Sequence, residues 1–275
     1  MKRKIVSIMA VALILTPALA STQNIANTVA ATNYQTYLDG TVYSVKLNDL
    51  LYKRTVFFPK EMTTSNKKYP VVVWGNGTFV TSSVYEEILS QIASKGYIVV
   101  ATNDRFCGAG ISESVSVEYI ISEGKKSGSV FYNKIDAEHI GSAGHSQGGM
   151  SAVNSSRLNS KIDCVFDIQG CQFSYEAAKL TVPTFFVTAT QDNIVPSSWV
   201  KDSYDACNAP AVYASVKGGK HLDPGDNHAP EIFAEYAVKW FDAFLKNDSS
   251  AKAVFLKGGA LSKDSRWVDY ASKNF

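Results

Sequence analysis

Ser146 lies at the centre of a G-x-S-x-G sequence that runs over Gly144–Gly148. Small residues at these positions suit a sharp turn that leaves a serine hydroxyl exposed between a strand and a helix. An apolar run, Ile140–Ala143, precedes the turn, and a helix-compatible stretch follows it. The N-terminus of that helix would favour negative charge that develops near the serine. The spacing therefore predicts a nucleophile elbow with Ser146 as the nucleophile.

A serine hydroxyl becomes an effective nucleophile when a histidine removes its proton and an acidic side chain orients that histidine. After a nucleophile elbow, the acid and then the histidine follow along the chain. Of the two histidines beyond Ser146, His221 lies in a glycine-containing loop after a predicted strand and is the predicted base. His228 is predicted to belong to the N-terminal cap of the last helix. Asp192, after another predicted strand, is the predicted acid, and Asp167, one strand earlier, is the alternative.

Two backbone amides are expected to stabilise the oxyanion that forms during acyl transfer. One belongs to the residue after the nucleophile, Gln147, and the other to the loop after the first buried strand, residues 75–79. Within that loop the amide of Thr78 is the predicted donor. Gly77 is the alternative, since the register of the loop does not follow from the sequence.

Aromatic side chains at or near strand ends could line an apolar acyl cleft beside the nucleophile. They are Trp74, Phe79, Phe173, Tyr175 and Trp199. Aromatic residues at such places belong to the core as often as to a binding site, so the sequence supports both interpretations. The predicted substrate-binding residues among them are Phe79, Phe173 and Trp199.

The elements that must position these side chains alternate between strands and helices. The predicted strands cover residues 42–47, 55–58, 69–74, 97–101, 140–143, 162–168, 182–189 and 211–216, and the main predicted helices cover 83–95, 115–121, 197–207 and 230–245. This alternation predicts an α/β fold with a mostly parallel central sheet and helices on both faces. Residues 169–183 leave room for one brief helix, Tyr175–Leu180, so no cap domain is expected there.

The N-terminus carries the features of a secretory signal peptide. A basic start (Lys2–Lys4) precedes an apolar stretch (Ile5–Leu15) and a small-x-small cleavage site (Ala18–Ala20). The apolar stretch is short for a transmembrane helix, so no stable membrane span is expected. We therefore predict a secreted protein with a signal peptide over residues 1–20, a disordered segment over 21–33 and a single domain over 34–275.

Export would make the four cysteines candidates for disulfide bonds. Cys107 and Cys171 each follow the carboxyl end of a predicted strand, whereas Cys164 starts a strand and Cys207 ends a helix at the opposite end of the sheet. The predicted pairs are therefore Cys107–Cys171 and Cys164–Cys207. Four free thiols are the alternative, since Cys164 could be buried within its apolar strand.

The composition is that of an ordinary globular protein, with 45% hydrophobic and 19% charged residues and a net charge of +2 in 275 residues. A net charge so close to zero gives no electrostatic reason to expect nucleic acid or an acidic membrane surface as a partner.

The chain resembles the α/β-hydrolase superfamily over nearly all of the mature sequence, and more narrowly its lipase, cutinase-like polyesterase and chlorophyllase-like branch. The resemblance rests on Phe131–Asp136, Gly144–Gly149, Asp192–Pro196 and Gly219–His221. It implies an α/β-hydrolase fold and a carboxylic ester hydrolase that uses neither a metal nor an organic cofactor. In polyesterase relatives an aromatic residue often follows the oxyanion-loop glycine. Thr78 departs from that pattern, which argues against aromatic polyesters rather than against ester hydrolysis.

The sequence thus predicts a secreted serine ester hydrolase that acts through Ser146, Asp192 and His221 and an acyl-enzyme. An acyltransferase would use the same residues, whereas a serine peptidase of this fold would usually need a propeller or cap to select peptides. A catalytically inactive binding protein typically lacks one member of the triad, and all three are present. The expected partner is a small-molecule or polymer-borne ester, and the protein is expected to be a monomer.

Overall fold

Ten strands form one mixed sheet within residues 34–275, the part of the chain that this computed structural model describes. They are β1 (Gln35–Tyr37), β2 (Val42–Asn48), β3 (Lys53–Pro59), β4 (Tyr69–Gly75), β5 (Ile98–Thr102), β6 (Ile135–His145), β7 (Ile162–Ile168), β8 (Thr184–Ala189), β9 (Ala211–Val216) and β10 (Trp267–Lys273). Their order across the sheet is β1-β2-β3-β5-β4-β6-β7-β8-β9-β10. The six strands β5, β4, β6, β7, β8 and β9 run parallel, while β1, β2, β3 and β10 pair antiparallel with their neighbours. The mostly parallel sheet predicted from the sequence is confirmed.

Helices cover both faces of this sheet, as the sequence predicted. They are α1 (Glu86–Ser94), α2 (Ile111–Glu123), α3 (Gln147–Leu158), α4 (Ser174–Ala177), α5 (Ser197–Ala206), α6 (Glu231–Leu245) and α7 (Ser249–Val254). The helices α1 and α6 pack on one face, and α2, α3 and α5 pack on the other.

The strand β4 illustrates why the central strands are apolar along their whole length. Val72 and Trp74 point towards α1 and α6, whereas Val71 and Val73 point towards the opposite face. Trp74 is wholly buried in the core. Of the two interpretations that the sequence left open for Trp74, the structure supports the core and not the acyl cleft, because its side chain points into the sheet's packed face.

The observed elements differ from the predicted ones mainly at the ends of helices and near the end of the chain. The helix predicted from residue 83 begins at Glu86, because Ser82–Val84 forms a separate 3-10 turn. The elements β1, α7 and β10 were not predicted. The connection between β7 and β8 contains only the four-residue helix α4, so no cap domain is inserted at this point, as the sequence predicted.

Both predicted disulfides are wrong, because all four cysteines are free thiols. Cys164 lies in the core beneath α1 and α6, whereas Cys207 lies beneath α5 on the opposite face of the sheet. Cys107 is buried, with its Sγ atom 3.3 Å from the carbonyl oxygen of Asn76. Cys171 is partly buried against the apolar residues beneath α3 and α5. The end of the sheet at which a cysteine lies does not reveal the face that it meets, which is why the pairing of Cys164 with Cys207 failed.

The predicted signal peptide and the segment 21–33 lie outside the described residues. None of the helices between residues 34 and 275 is both long and apolar enough to pass through a bilayer.

Candidate active site

Ser146 lies in the tight turn between β6 and α3 and has a φ of 59°. Few residues other than glycine adopt this strained region, and such strain clusters at functional sites. The amide of Ser146 donates to the carbonyl of Ile168 on β7 (2.9 Å), and its own carbonyl accepts from the amide of Gly149 (2.9 Å). The turn therefore presents the hydroxyl at the carboxyl end of the sheet and at the N-terminus of α3.

Glycine is required on both sides of Ser146 because β4 passes very close to the turn. A Cβ atom on Gly148 would overlap the carbonyl of Gly75, and one on Gly144 would overlap the carbonyl of Gly148. The obstructing atoms belong to the backbone of a central strand and of a helix, so they cannot turn aside as a flexible side chain could.

Replacement of Gly148 by alanine is expected to lower the free energy of unfolding by about 3 kcal/mol or more, the upper end of the usual cost of overpacking a core. Urea unfolding of the purified variant measures the change. Gly128→Ala is the matched control, since a Cβ atom there meets nothing within 4 Å. Equal stabilities of the two variants would contradict the steric argument.

His221 links Ser146 to Asp192. The Nε2 atom of His221 lies 3.0 Å from Oγ of Ser146, and its Nδ1 atom lies 2.7 Å from Oδ2 of Asp192. Asp192 follows β8 and His221 follows β9, so their loops meet at the carboxyl end of adjacent parallel strands. Both residues are buried. The structure thus brings together the three side chains that the sequence selected.

Backbone amides hold the Asp192 carboxylate in place. Its Oδ1 atom accepts hydrogen bonds from the amides of Ile194 and Val195, both at 2.8 Å. Burial raises the pKa of Asp192, but the hydrogen bonds from His221 and the two amides outweigh burial and hold this pKa below its usual value. An ionised Asp192 can orient the His221 ring and stabilise a positive charge on it.

Two hydrogen bonds hold the backbone of Lys220, the residue before His221. The amide of Lys220 donates to Oδ2 of Asp223 (2.8 Å), and the carbonyl of Lys220 accepts from Nε2 of Gln169 (3.1 Å). These bonds fix the backbone next to the histidine, so the ring is positioned by its loop as well as by Asp192.

Further along the same loop, Asp226 caps the N-terminus of α1. Its carboxylate accepts from the amides of Glu86 (3.0 Å) and Glu87 (2.9 Å), and its own amide donates to the carbonyl of Val84 (2.7 Å). A carboxylate at a helix N-terminus satisfies free amides and interacts favourably with the helix dipole. This contact was not predicted, because a helix cap can be recognised in a sequence only when it lies next to the helix in the chain.

Asp167, the alternative acid, makes no hydrogen bond to His221 within the described residues. It is wholly buried on β7, where one carboxylate oxygen accepts from Nε2 of Gln172 (2.6 Å) and Oδ1 has no partner in this part of the chain. Burial raises the pKa of Asp167 to about 7. A carboxyl that is protonated near neutral pH is poorly suited to stabilise a histidine cation.

The raised pKa of Asp167 predicts that stability declines as the pH rises from about 4 towards 7. An aspartate in an unfolded chain titrates near 3.9, so between these values the folded state binds more protons than the unfolded state and loses stability as the pH increases. The loss is of the order of a few kcal/mol. Asp167→Asn is expected to gain stability relative to the native protein at pH 8 but not at pH 4. Urea unfolding at both pH values measures the difference, and an equal difference at the two values would contradict it.

The amides predicted to form the oxyanion hole are free. The amide of Gly77, the alternative donor, is already bonded to the hydroxyl of Tyr85 (3.1 Å). Within residues 34–275, the amides of Thr78 and of Gln147, the first residue of α3, have no acceptor. Thr78 lines the same cleft as Ser146. This geometry favours Thr78 over Gly77 as the donor from the loop.

Aliphatic side chains line the cleft beside Ser146, which has a volume of about 420 Å³. They are Val80, Val84, Ile194 and Leu222. His228 also lies at this cleft instead of capping the last helix, which begins at Glu231. These lining residues were not predicted because they come from loops, where no periodic pattern marks the inward-facing side chains.

The predicted substrate-binding aromatics, Phe79, Phe173 and Trp199, are not among the residues that line this cleft. Phe79 is 69% exposed and packs edge-on against Phe106, with 5.3 Å between ring centres. Phe173 stacks on Tyr175 and, together with Trp199, lines a separate depression of about 240 Å³. The structure therefore places aliphatic groups beside the nucleophile, and Phe173 and Trp199 at a different depression.

The sheet order, the elbow and the loops that carry the three polar side chains define an α/β-hydrolase fold. A family model described as PETase, PET hydrolase-like, matches residues 44–270. The chain belongs to this PET hydrolase-like family.

Two curated proteins of Thermobifida alba, cutinase est2 and cutinase est1, are similar to this chain. Each is 23% identical to it over 203 residues, which is 71% of this chain. The matched region spans 65% of cutinase est2 and 66% of cutinase est1, slightly less than two thirds of each relative.

Proposed function

We propose that the protein is a serine carboxylic ester hydrolase with Ser146 as nucleophile, His221 as general base and Asp192 as the acid that orients it. The observation that carries this proposal is the continuous hydrogen-bonded series from Ser146 Oγ through His221 to Asp192, with distances of 3.0 and 2.7 Å. Membership of the PET hydrolase-like family and similarity to two cutinases support the same reaction class.

The reaction proceeds by acyl transfer in two steps. His221 accepts the proton of Ser146 through Nε2 while Oγ attacks the ester carbonyl, and the amides of Thr78 and Gln147 stabilise the oxyanion. The His221 cation then donates its proton to the leaving alcohol, and the acyl-enzyme remains. Water, activated by His221, hydrolyses the acyl-enzyme by the same sequence and restores Ser146.

The shape of the cleft favours esters with aliphatic acyl groups. The residues that line it beside Ser146 include four aliphatic side chains, and none of the predicted substrate-binding aromatics is among them. No cap inserted between β7 and β8 covers it, so the bond to be cleaved can belong to a chain much longer than the cleft. A polymer-borne ester is therefore the favoured substrate class, in agreement with the names of the family and of its relatives.

A fluorophosphonate probe tests the assignment of the nucleophile directly. We expect covalent labelling of Ser146, identified by peptide mass spectrometry, together with hydrolysis of p-nitrophenyl esters in a series from acetate to palmitate. Release of soluble acids from aliphatic and aromatic polyester films then determines the preferred polymer. Labelling at another residue, or an unlabelled protein, would refute the proposed function.

Export is also part of the proposal, supported by the basic, apolar and small-x-small segments of residues 1–20. The mature chain is expected in the culture medium with a new N-terminus near Ser21. Intact-mass measurement of the secreted protein tests this, and a full-length mass would contradict it.

A further inference from the structure

Tyr85 is a buried residue that lines the cleft, and the proposed mechanism does not use it. It lies between the 3-10 turn Ser82–Val84 and α1, and only 2% of its surface is exposed. Its hydroxyl contacts two separate parts of the active site. It accepts the amide proton of Gly77 (3.1 Å), and it lies 2.8 Å from Nδ1 of His145.

These two partners each precede a residue of the reaction centre. Gly77 is followed by Thr78, the proposed oxyanion donor, and His145 is followed by Ser146, the proposed nucleophile. One hydroxyl group therefore joins the oxyanion loop to the elbow. The oxyanion loop follows β4 and the elbow follows β6. A Cβ atom on Gly77 would lie only 2.8 Å from the Tyr85 hydroxyl, so this hydroxyl packs tightly against Gly77 in addition to its hydrogen bond.

The donor and the acceptor in each hydrogen bond of the Tyr85 hydroxyl follow from the groups that face it. The amide of Gly77 can only donate, so the hydroxyl of Tyr85 accepts that bond. Among the residues that the structure describes, Nδ1 of His145 is the one acceptor within reach of the Tyr85 proton, and it accepts when the proton of a neutral His145 is on Nε2. Burial, together with the neighbouring His221 as a source of positive charge, lowers the pKa of His145 to about 3. Burial raises the pKa of Tyr85. Both groups therefore stay neutral, and the hydrogen bonds persist throughout the working pH range.

We propose that Tyr85 is a positioning residue whose hydroxyl sets the distance between the Thr78 amide and the Ser146 oxygen. This inference rests on the proposed function and deepens it. The oxyanion exists only along the reaction path, so a displaced amide weakens binding of the transition state more than binding of the ester. The ring of His145 also lies 4.8 Å from that of His221, so the same hydroxyl supports a group packed against the general base.

Tyr85→Phe is the main test, with kcat and KM measured on a p-nitrophenyl ester. We expect kcat to fall about 10- to 100-fold with KM changed less than about 3-fold, since complete removal of an oxyanion donor costs about 100- to 1,000-fold. The affinity for an alkylboronic acid, whose tetrahedral adduct with Ser146 occupies the oxyanion hole, is expected to fall in parallel with kcat/KM. A merely structural role would not produce this parallel loss.

Tyr97→Phe is the matched control, because Tyr97 is buried and its hydroxyl donates to Asp242 (2.6 Å) far from the cleft. It is expected to keep the native kcat. Gly77→Ala is a second variant that crowds the same hydroxyl and should reproduce the loss in kcat, which keeps the test available if Tyr85→Phe folds poorly. A native kcat and boronate affinity in Tyr85→Phe, or equal losses in Tyr97→Phe, would overturn the proposal.

Labelling of Ser146 by the fluorophosphonate probe separates this proposal from the proposed function. If Ser146 of the native protein is labelled but Tyr85→Phe reacts at the native rate, the positioning role is refuted and the hydrolase assignment stands. If Ser146 of the native protein is not labelled, both are refuted.

Discussion

Replacement of Ser146 by alanine is expected to lower kcat by at least about 10⁴-fold, since loss of the nucleophile in a triad removes nearly all of the catalysis that the triad supplies. The remaining rate would come from the free amides of Thr78 and Gln147 and from binding in the cleft. Alanine has the same Cβ atom as serine, and the amide and carbonyl of residue 146 keep their hydrogen bonds. The fold should therefore be preserved. Steady-state hydrolysis of a p-nitrophenyl ester and thermal unfolding measure the two quantities.

The matched control for this variant is Ser203→Ala. Ser203 is buried on α5, and its hydroxyl donates only to the carbonyl of Trp199 (3.2 Å), so its loss should leave kcat within a few-fold of the native value. Appreciable turnover by Ser146→Ala at the native melting temperature would show that another group performs the attack, and the proposed mechanism would then be wrong.

Asp192→Asn is expected to lower kcat by about 10⁴-fold while the geometry stays intact. The backbone amides of Ile194 and Val195 donate to one side-chain oxygen of residue 192, so the asparagine carbonyl must occupy that position. Its NH₂ group then faces Nδ1 of His221 and donates to it. The proton of a neutral His221 is thereby placed on Nε2, which can no longer accept the proton of Ser146.

Asp167→Asn is the control that distinguishes the predicted acid from the alternative one. Burial raises the pKa of Asp167 to about 7, so a large share of this carboxyl is neutral at pH 7, and an amide of the same shape replaces it there. We expect kcat within a few-fold of the native value at pH 7. A larger loss in Asp167→Asn than in Asp192→Asn would reverse the assignment of the acid.

The elbow and the positions of the triad loops could be predicted from the sequence because their chemistry imposes local constraints. Gly144 and Gly148 must lack side chains where β4 approaches, and Asp192 and His221 each follow a recognisable apolar strand. Such requirements are visible within a few neighbouring residues. The mostly parallel sheet follows from the same alternation of strands and helices.

Features that depend on contacts between distant segments could not be predicted in this way. The last strand, β10, pairs irregularly with β9 between Val268 and Ala271, and Asp269 has a positive φ of 57°, which breaks the alternation that marks a strand. The directions of Trp74 and of the cysteines depend on which face of the sheet a side chain meets. The spacing of residues indicates where a strand ends more readily than it indicates which face of the sheet a neighbouring side chain meets.

The carboxylate of Asp226 bonds the first turn of α1, and α1 is part of the main hydrophobic core. These bonds join the loop that carries His221 to the main body of the protein. We therefore expect the imidazole to stay in place until this helix unfolds, so that loss of activity on heating coincides with global melting.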